Sequence, residues 1–137
     1  NYLKENIIKH KLQNVKIHGY LDKKRIKILY TNCDALLVTL KKGKFLNMTI
    51  PSKIQTYLST KKPIIGSLDG EGSKLIKNSN SGFVSPSENV KYLKNNIIKL
   101  KNLKKSDRIR LGVNGHKYFM NNFKFDRIYR KITKILD

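Results

Sequence analysis

The sequence is short of several residue types, and each shortage excludes something. One cysteine, Cys33, in 137 residues rules out an internal disulfide and fits a reducing compartment. Cys33 reads as a small core residue. Tryptophan is absent, and aromatic residues supply 9% of a chain whose hydrophobic share is 39%, so an aliphatic core is expected. Apolar runs are brief. The strongest, ALLV at residues 35–38, falls far short of the ~20 residues a membrane-spanning helix needs. Asn1 enters an amphipathic pattern directly, so no secretory leader is expected. His10, His18 and His116 are scattered without metal-ligand spacing, and no metal is expected.

Negative charge is also scarce. Nine acidic residues face thirty basic ones, giving a formal net charge of +21. Such a surface suits an anionic partner: nucleic acid, acidic lipid or a phosphorylated small molecule. Yet arginine occurs only five times among those thirty, and lysine, asparagine and isoleucine are abundant together. Codon supply in an AT-rich genome produces that skew and spreads lysines over solvated faces. Readers of nucleic acid favour arginine for bidentate contacts, so dedicated nucleic-acid binding is the weaker reading. A peripheral role at an anionic membrane surface remains compatible.

The length is that of one domain, and the patterning is that of an α/β fold. Leu3, Ile7, Ile8 and Leu12 share a helical face, and a short strand is expected around Val15 to Ile17, stopped by Gly19. Asp22 is placed to cap a helix whose inner face carries Ile26, Leu29 and Tyr30. CDALLVTL then reads as a strand buried on both faces, and residues 41–47 as a polar loop. Pro51 suits the first turn of a helix with Ile54, Tyr57 and Leu58 inward. PIIG at residues 63–66 is a second buried strand, followed by an acidic DGEG loop, a brief helix and the strand SGFVSP. Three more helices follow, one from Glu88 through Leu103, one capped by Ser106 or Asp107, and one from Asp126 with Ile128, Ile132 and Ile135 in one stripe. Strand–helix units of about thirty residues predict a Rossmann-like parallel sheet covered on both faces.

Ligands of such sheets lie beyond the carboxyl ends of the strands, against helix N-termini. Three loops qualify: Gly19 to Leu21, residues 41–51 and residues 67–72. The helix opened by Pro51 leaves its first amides unpaired and carries partial positive charge, which makes a phosphate seat without a P-loop. Lys53, with Lys42 or Lys44, would add cationic contacts. Asp69 and Glu71 either contact a sugar or cap the following helix, and capping is the favoured reading.

The ordered set ALLVTL, TIPSKIQTYLSTKKPIIGSLDGEG and SGFVSP resembles the C-terminal, donor-binding half of glycosyltransferase family 4 (group 1) enzymes of the GT-B type. It is most similar to a bacterial surface-polysaccharide branch. The tail RIRLGVNGHKYFMNNFKFDRIYRKITKIL is similar to that family's closing pattern, with its Gly-x-Asn-Gly turn and Asn-Phe-x-Phe-Asp break. The resemblance implies a retaining transferase that moves a sugar from a nucleotide diphosphate, UDP-linked by expectation and without a bound metal or other cofactor, to a glycan or polyprenyl-linked acceptor. It implies that residues 1–137 are the donor-binding domain, cut at its N-terminus and lacking the acceptor domain. Such a piece would be inactive alone, working in the full protein at the cytoplasmic face of a membrane.

Position by position, the resemblance places Gly19, Tyr20 and Leu21 along the nucleobase, and Ile50, Pro51, Ser52 and Lys53 around the sugar phosphates, with Lys44 beside them. The family's two glutamates fall on Met48 and Thr56, so both carboxylates are missing. Gln55 or Thr56 is left to hold the ribose. No catalytic residue is assigned. Two other readings stand beside this one: a nucleotide-sugar epimerase of the same architecture, which needs a carboxylate and a histidine in this half, and a basic nucleic-acid-binding module.

Overall fold

The computed structural model describes residues 2–136, apart from the side chains of residues 130, 131, 134 and 136. Asn1, from which the opening pattern is read, lies outside the described residues. The sheet has three parallel strands in chain order, β1 (Leu36–Thr39), β2 (Ile64–Ser67) and β3 (Gly82–Ser85). Between β1 and β2 run α3 (Lys44–Asn47) and α4 (Ser52–Ser59), and between β2 and β3 runs α5 (Gly70–Asn78). Ahead of the sheet stand α1 (Tyr2–Lys9) and α2 (Lys23–Asn32). Behind it follow α6 (Val90–Asn102), α7 (Lys105–Asn122) and α8 (Phe125–Leu136).

Parallel pairing aligns Leu36 with Ile64 and Ile64 with Gly82, which fixes the faces of the sheet. One face carries Leu36, Val38 and Ile64 against Ile54, Tyr57 and Leu58 of α4 and Leu75 and Ile76 of α5, and this cluster is the core. The opposite face receives α6, whose Leu100 is buried and whose Lys99 ammonium sits 4.5 Å from the centre of the Phe83 ring. α6 packs on β2 and β3. Among the described residues no helix packs closely on β1 on that side, so Leu37 is 50% exposed and the strand alternates buried and exposed. The expectation that β1 is buried on both faces is therefore corrected: ALLV is continuous in hydrophobicity, but edge position decides its burial.

Two tight approaches set α7 against α4. A Cβ on Gly112 would lie 2.0 Å from the Lys61 carbonyl oxygen, and one on Gly115 would lie 3.1 Å from Leu58 and 2.9 Å from Ser81. Only hydrogen fits in either place. His116 Nδ1 is 3.0 Å from the Ser59 carbonyl oxygen, so this half-buried histidine bridges the two helices.

Further expectations are corrected. Residues 15–17 form no strand, and Val15 and Ile17 stay exposed, because a strand exists only as part of a ladder and no partner lies beside them among the described residues. The polar loop after β1 contains the short helix α3. Asp22 caps α2 as anticipated, its carboxylate accepting from the Arg25 amide at 2.8 Å. α7, in contrast, begins after Lys104 with no side-chain cap, and Asp107 in its first turn pairs with Arg110 at 3.0 Å. No helix among the described residues is long and apolar enough to cross a membrane.

Candidate functional site

The rim at the carboxyl ends of the strands is assembled by close packing and hydrogen bonds. Gly70 adopts φ +67°, and a Cβ there would meet the Asn47 carbonyl oxygen at 2.0 Å, so the loop after β2 sits directly on the end of α3. A Cβ on Gly72 would come within 3.2 Å of the Pro51 ring and 3.1 Å of Ile54, so α5 presses on the first turn of α4. The Ser67 hydroxyl donates to the Pro86 carbonyl at 3.2 Å. Asp69 accepts from the amide and the hydroxyl of Ser87. The connections after all three strands thus meet on one rim, as the topology requires.

Within that rim, Pro51 occupies the N-cap position of α4 rather than its first helical position (φ −58°, ψ 130°) and offers no side-chain cap. The Ile54 amide donates to the Pro51 carbonyl at 2.9 Å. The Ser52 and Lys53 amides have no protein acceptor among the described residues. Pro51, Ser52 and Lys53, with Leu37 to Leu40 of β1 and its continuation, line a cleft of about 320 Å³. No carboxylate stands among these lining residues, and Lys53 is their one cation. A helix start, two open amides and a lysine favour an anion, each favourable charge contributing about 0.3–2 kcal/mol.

The other site candidates lie elsewhere around this centre. Thr56, one turn further along α4, donates to the Ser52 carbonyl at 3.3 Å and lines a groove of about 670 Å³ between α2 and α4. Ile26 and Tyr30 of α2 form much of its apolar wall, and Lys23 stands at its end. Tyr30 meets Tyr57 edge to face, with centroids 5.5 Å apart, and the Tyr57 hydroxyl reaches the Leu37 carbonyl at 3.4 Å. Burial, and secondarily the neighbouring Tyr30, pushes the Tyr57 phenol above its ordinary value. Cys33, half-buried beside the same core, is likewise raised by burial, against an opposing pull from the Lys62 charge.

Gln55 is half-buried and lines neither the cleft nor the groove, while Lys44 and Ile50 are exposed nearby in the chain without lining the cleft. Gly19, Tyr20 and Leu21 are not brought to the Pro51 turn as lining residues. Gly19 has φ +66° with open space beside it, and Tyr20 is 98% exposed. Asp69 makes no capping bond to α5 and is committed to Ser87, while Glu71 pairs with Lys74 at 2.7 Å. The favoured reading of both as caps is thereby corrected. Missed from the sequence were Thr39 and Leu40 in the cleft, and Lys23, Ile26 and Tyr30 opposite Thr56. The spacing of Ser52 and Thr56 puts both on one face of α4, but nothing local shows which helix lies across from them.

The family model for glycosyl transferases group 1 matches residues 1–118, from α1 to within α7. A search of curated proteins and a search of solved structures each returned no match. The parallel sheet with helices on its faces, and the anion-favouring turn at the end of its first strand, agree with that assignment. The chain belongs to the group 1 glycosyl transferases.

Proposed function

We propose that this chain, residues 1–137, is the donor-binding part of a retaining glycosyltransferase. It takes a sugar from a nucleotide diphosphate, UDP-linked by preference and without a bound metal, to a glycan or lipid-linked acceptor held by another domain, in bacterial surface-polysaccharide synthesis. The observation that carries the reading is the pair of unsatisfied amides at Ser52 and Lys53, opening on the cleft beside the end of β1. The diphosphate sits there, with Lys53 as counter-charge. The nucleoside extends toward the groove where Thr56 faces Ile26 and Tyr30.

Breaking the glycosidic bond concentrates negative charge on the leaving diphosphate. Donors already fixed at that position stabilise the transition state more than the ground state, and losing one commonly costs about 3 kcal/mol. The packing of Gly72 on Pro51 and Ile54 is what holds these amides in place beforehand. With Thr56 where a glutamate is usual, the ribose would meet a hydroxyl rather than a carboxylate, which makes a weaker hydrogen bond. The epimerase reading finds less support, since the cleft lining contains neither a carboxylate nor a histidine.

A thermal-shift panel with UDP, GDP, UMP and a DNA oligomer, each at low and high salt, tests the proposal. Stabilisation by one nucleoside diphosphate that persists at high salt is expected. Stabilisation by DNA alone, lost at high salt, would overturn it in favour of a nucleic-acid module.

A further inference from the structure

A second cationic hollow lies on the opposite rim, where the strands begin. Asp34 and Ala35 lead into β1, and Lys61, Lys62 and Pro63 lead into β2. A cleft of about 280 Å³ opens there between Lys61 and Lys62 on one wall and Lys105 and Arg108 of α7 on the other, with Cys33 and Asp34 at its edge. An adjoining hollow of about 330 Å³ shares Asp34 and Arg108 and adds Lys101. Four residues of β-strand, about 13 Å, separate this rim from the Pro51 turn.

Lysines cover this protein, so charge alone distinguishes nothing. Three further features set the hollow apart. Its walls are fixed by backbone contact: the Lys61 turn, at φ 59°, is clamped on α7 because only hydrogen fits between Gly112 and the Lys61 carbonyl. The Arg108 side chain is held by donating Nη1 to the Lys101 carbonyl at 3.1 Å. Asp34 lines the cleft, yet no described carboxylate forms an ion pair with Lys61, Lys62, Lys105 or Arg108. Four cations therefore face one carboxylate, Asp34, around a preformed hollow, and none of the four is ion-paired with it, so a net positive charge is left that an entering anion relieves.

We propose that this cleft is a second anion site, binding a phosphate-bearing ligand through Lys61, Lys62, Lys105 and Arg108 at the rim of the sheet where the strands begin, away from the donor cleft. The inference goes beyond the donor reading and does not depend on it. The phosphate belongs either to a lipid headgroup or to a soluble metabolite, and the chemistry at the cleft is the same.

The test is an amide-resolved NMR titration of the chain with inorganic pyrophosphate, together with sedimentation on vesicles of phosphatidylglycerol in phosphatidylcholine and on pure phosphatidylcholine. Saturable shifts at Lys61, Lys62, Lys105 and Arg108 are expected, separable from any response at Ser52 and Lys53. The double variant Lys62→Gln/Lys105→Gln should weaken them about tenfold, as loss of charge-assisted contacts implies. The charge-matched Lys91→Gln/Lys94→Gln variant, on the outer side of α6, should leave them unchanged. Vesicle retention lost in the first variant and kept in the second identifies a lipid headgroup as the source. Pyrophosphate saturation without cleft-dependent retention identifies a soluble one. Equal weakening by both variants, or no saturable shift at the four amides, overturns the proposal.

Discussion

Asp69 takes both the amide and the hydroxyl of Ser87, so a single carboxylate ties the connection after β2 to the connection after β3. Ser87 is only 2% exposed, so neither donor has water as an alternative partner. Asp69→Ala should therefore destabilise the fold by about 2 kcal/mol, the cost of stranding buried polar groups. Ser87→Ala should cost less, because it removes a donor instead of orphaning one. A double-mutant cycle read by urea denaturation should give a coupling above about 0.5 kcal/mol, and additive losses would show that Asp69 and Ser87 do not act as a pair.

Gly70 is expected to tolerate no side chain. Its φ of +67° is strained for other residues, and a Cβ would lie 2.0 Å from the Asn47 carbonyl oxygen. Gly70→Ala should cost at least about 3 kcal/mol in denaturant and weaken nucleoside diphosphate binding beyond what the stability loss explains. The second effect follows because Asn47 ends the helix that leads into the Pro51 turn.

Ser52→Pro isolates one amide. Proline is well suited to a first helical position, and Pro51 already has the extended ψ of 130° that a following proline demands. Stability should change by less than about 0.5 kcal/mol while one phosphate donor disappears. Calorimetry should show nucleoside diphosphate affinity falling about tenfold, with a similar fall for Lys53→Gln. Unchanged affinity in both variants would remove the phosphate seat from α4.

Alkaline pH should destabilise the protein through two groups, one half-buried and one buried. The Cys33 thiol and the Tyr57 phenol are both held above their ordinary values of 9.0 and 10.0 by burial. The unfolded chain therefore loses these protons first, and the native state holds more of them at high pH. Stability is full below about pH 9.0 and falls as pH rises through and beyond 10.0. Tyr57→Phe should flatten the upper part of that decline in pH-dependent thermal melts, at a neutral-pH cost of about 1 kcal/mol for the lost contact to Leu37.

Much of the fold was legible in periodicity and punctuation. The strand signals CDALLVTL at residues 33–40 and PIIG at 63–66 became β1 (Leu36–Thr39) and β2 (Ile64–Ser67), Asp22 capped α2, and α4 buried Ile54, Tyr57 and Leu58. These succeeded because caps and helical faces are local. Val15 to Ile17 carried a comparable strand signal and paired with nothing. Asp69 carried a capping signal and was drawn instead to Ser87, far along the chain but adjacent in space. The Pro51 turn was recognisable as a helix start with open amides, whereas the α2 wall opposite Thr56 was not, since facing helices leave no mark in each other's local sequence.

By itself the sequence determined the aliphatic core and the excess of positive charge, which are matters of composition, and the alternation of strands and helices and the uncapped start of α4, which depend on residues within a turn or two of one another. Only the tertiary structure decided that α6 leaves Leu37 in solvent, that glycines at 70 and 112 let backbones touch, and that one rim of the sheet gathers open amides while the other gathers lysines. Those outcomes depend on which segments meet across the sheet, and the meeting is fixed by strand order and close packing rather than by any neighbouring residue.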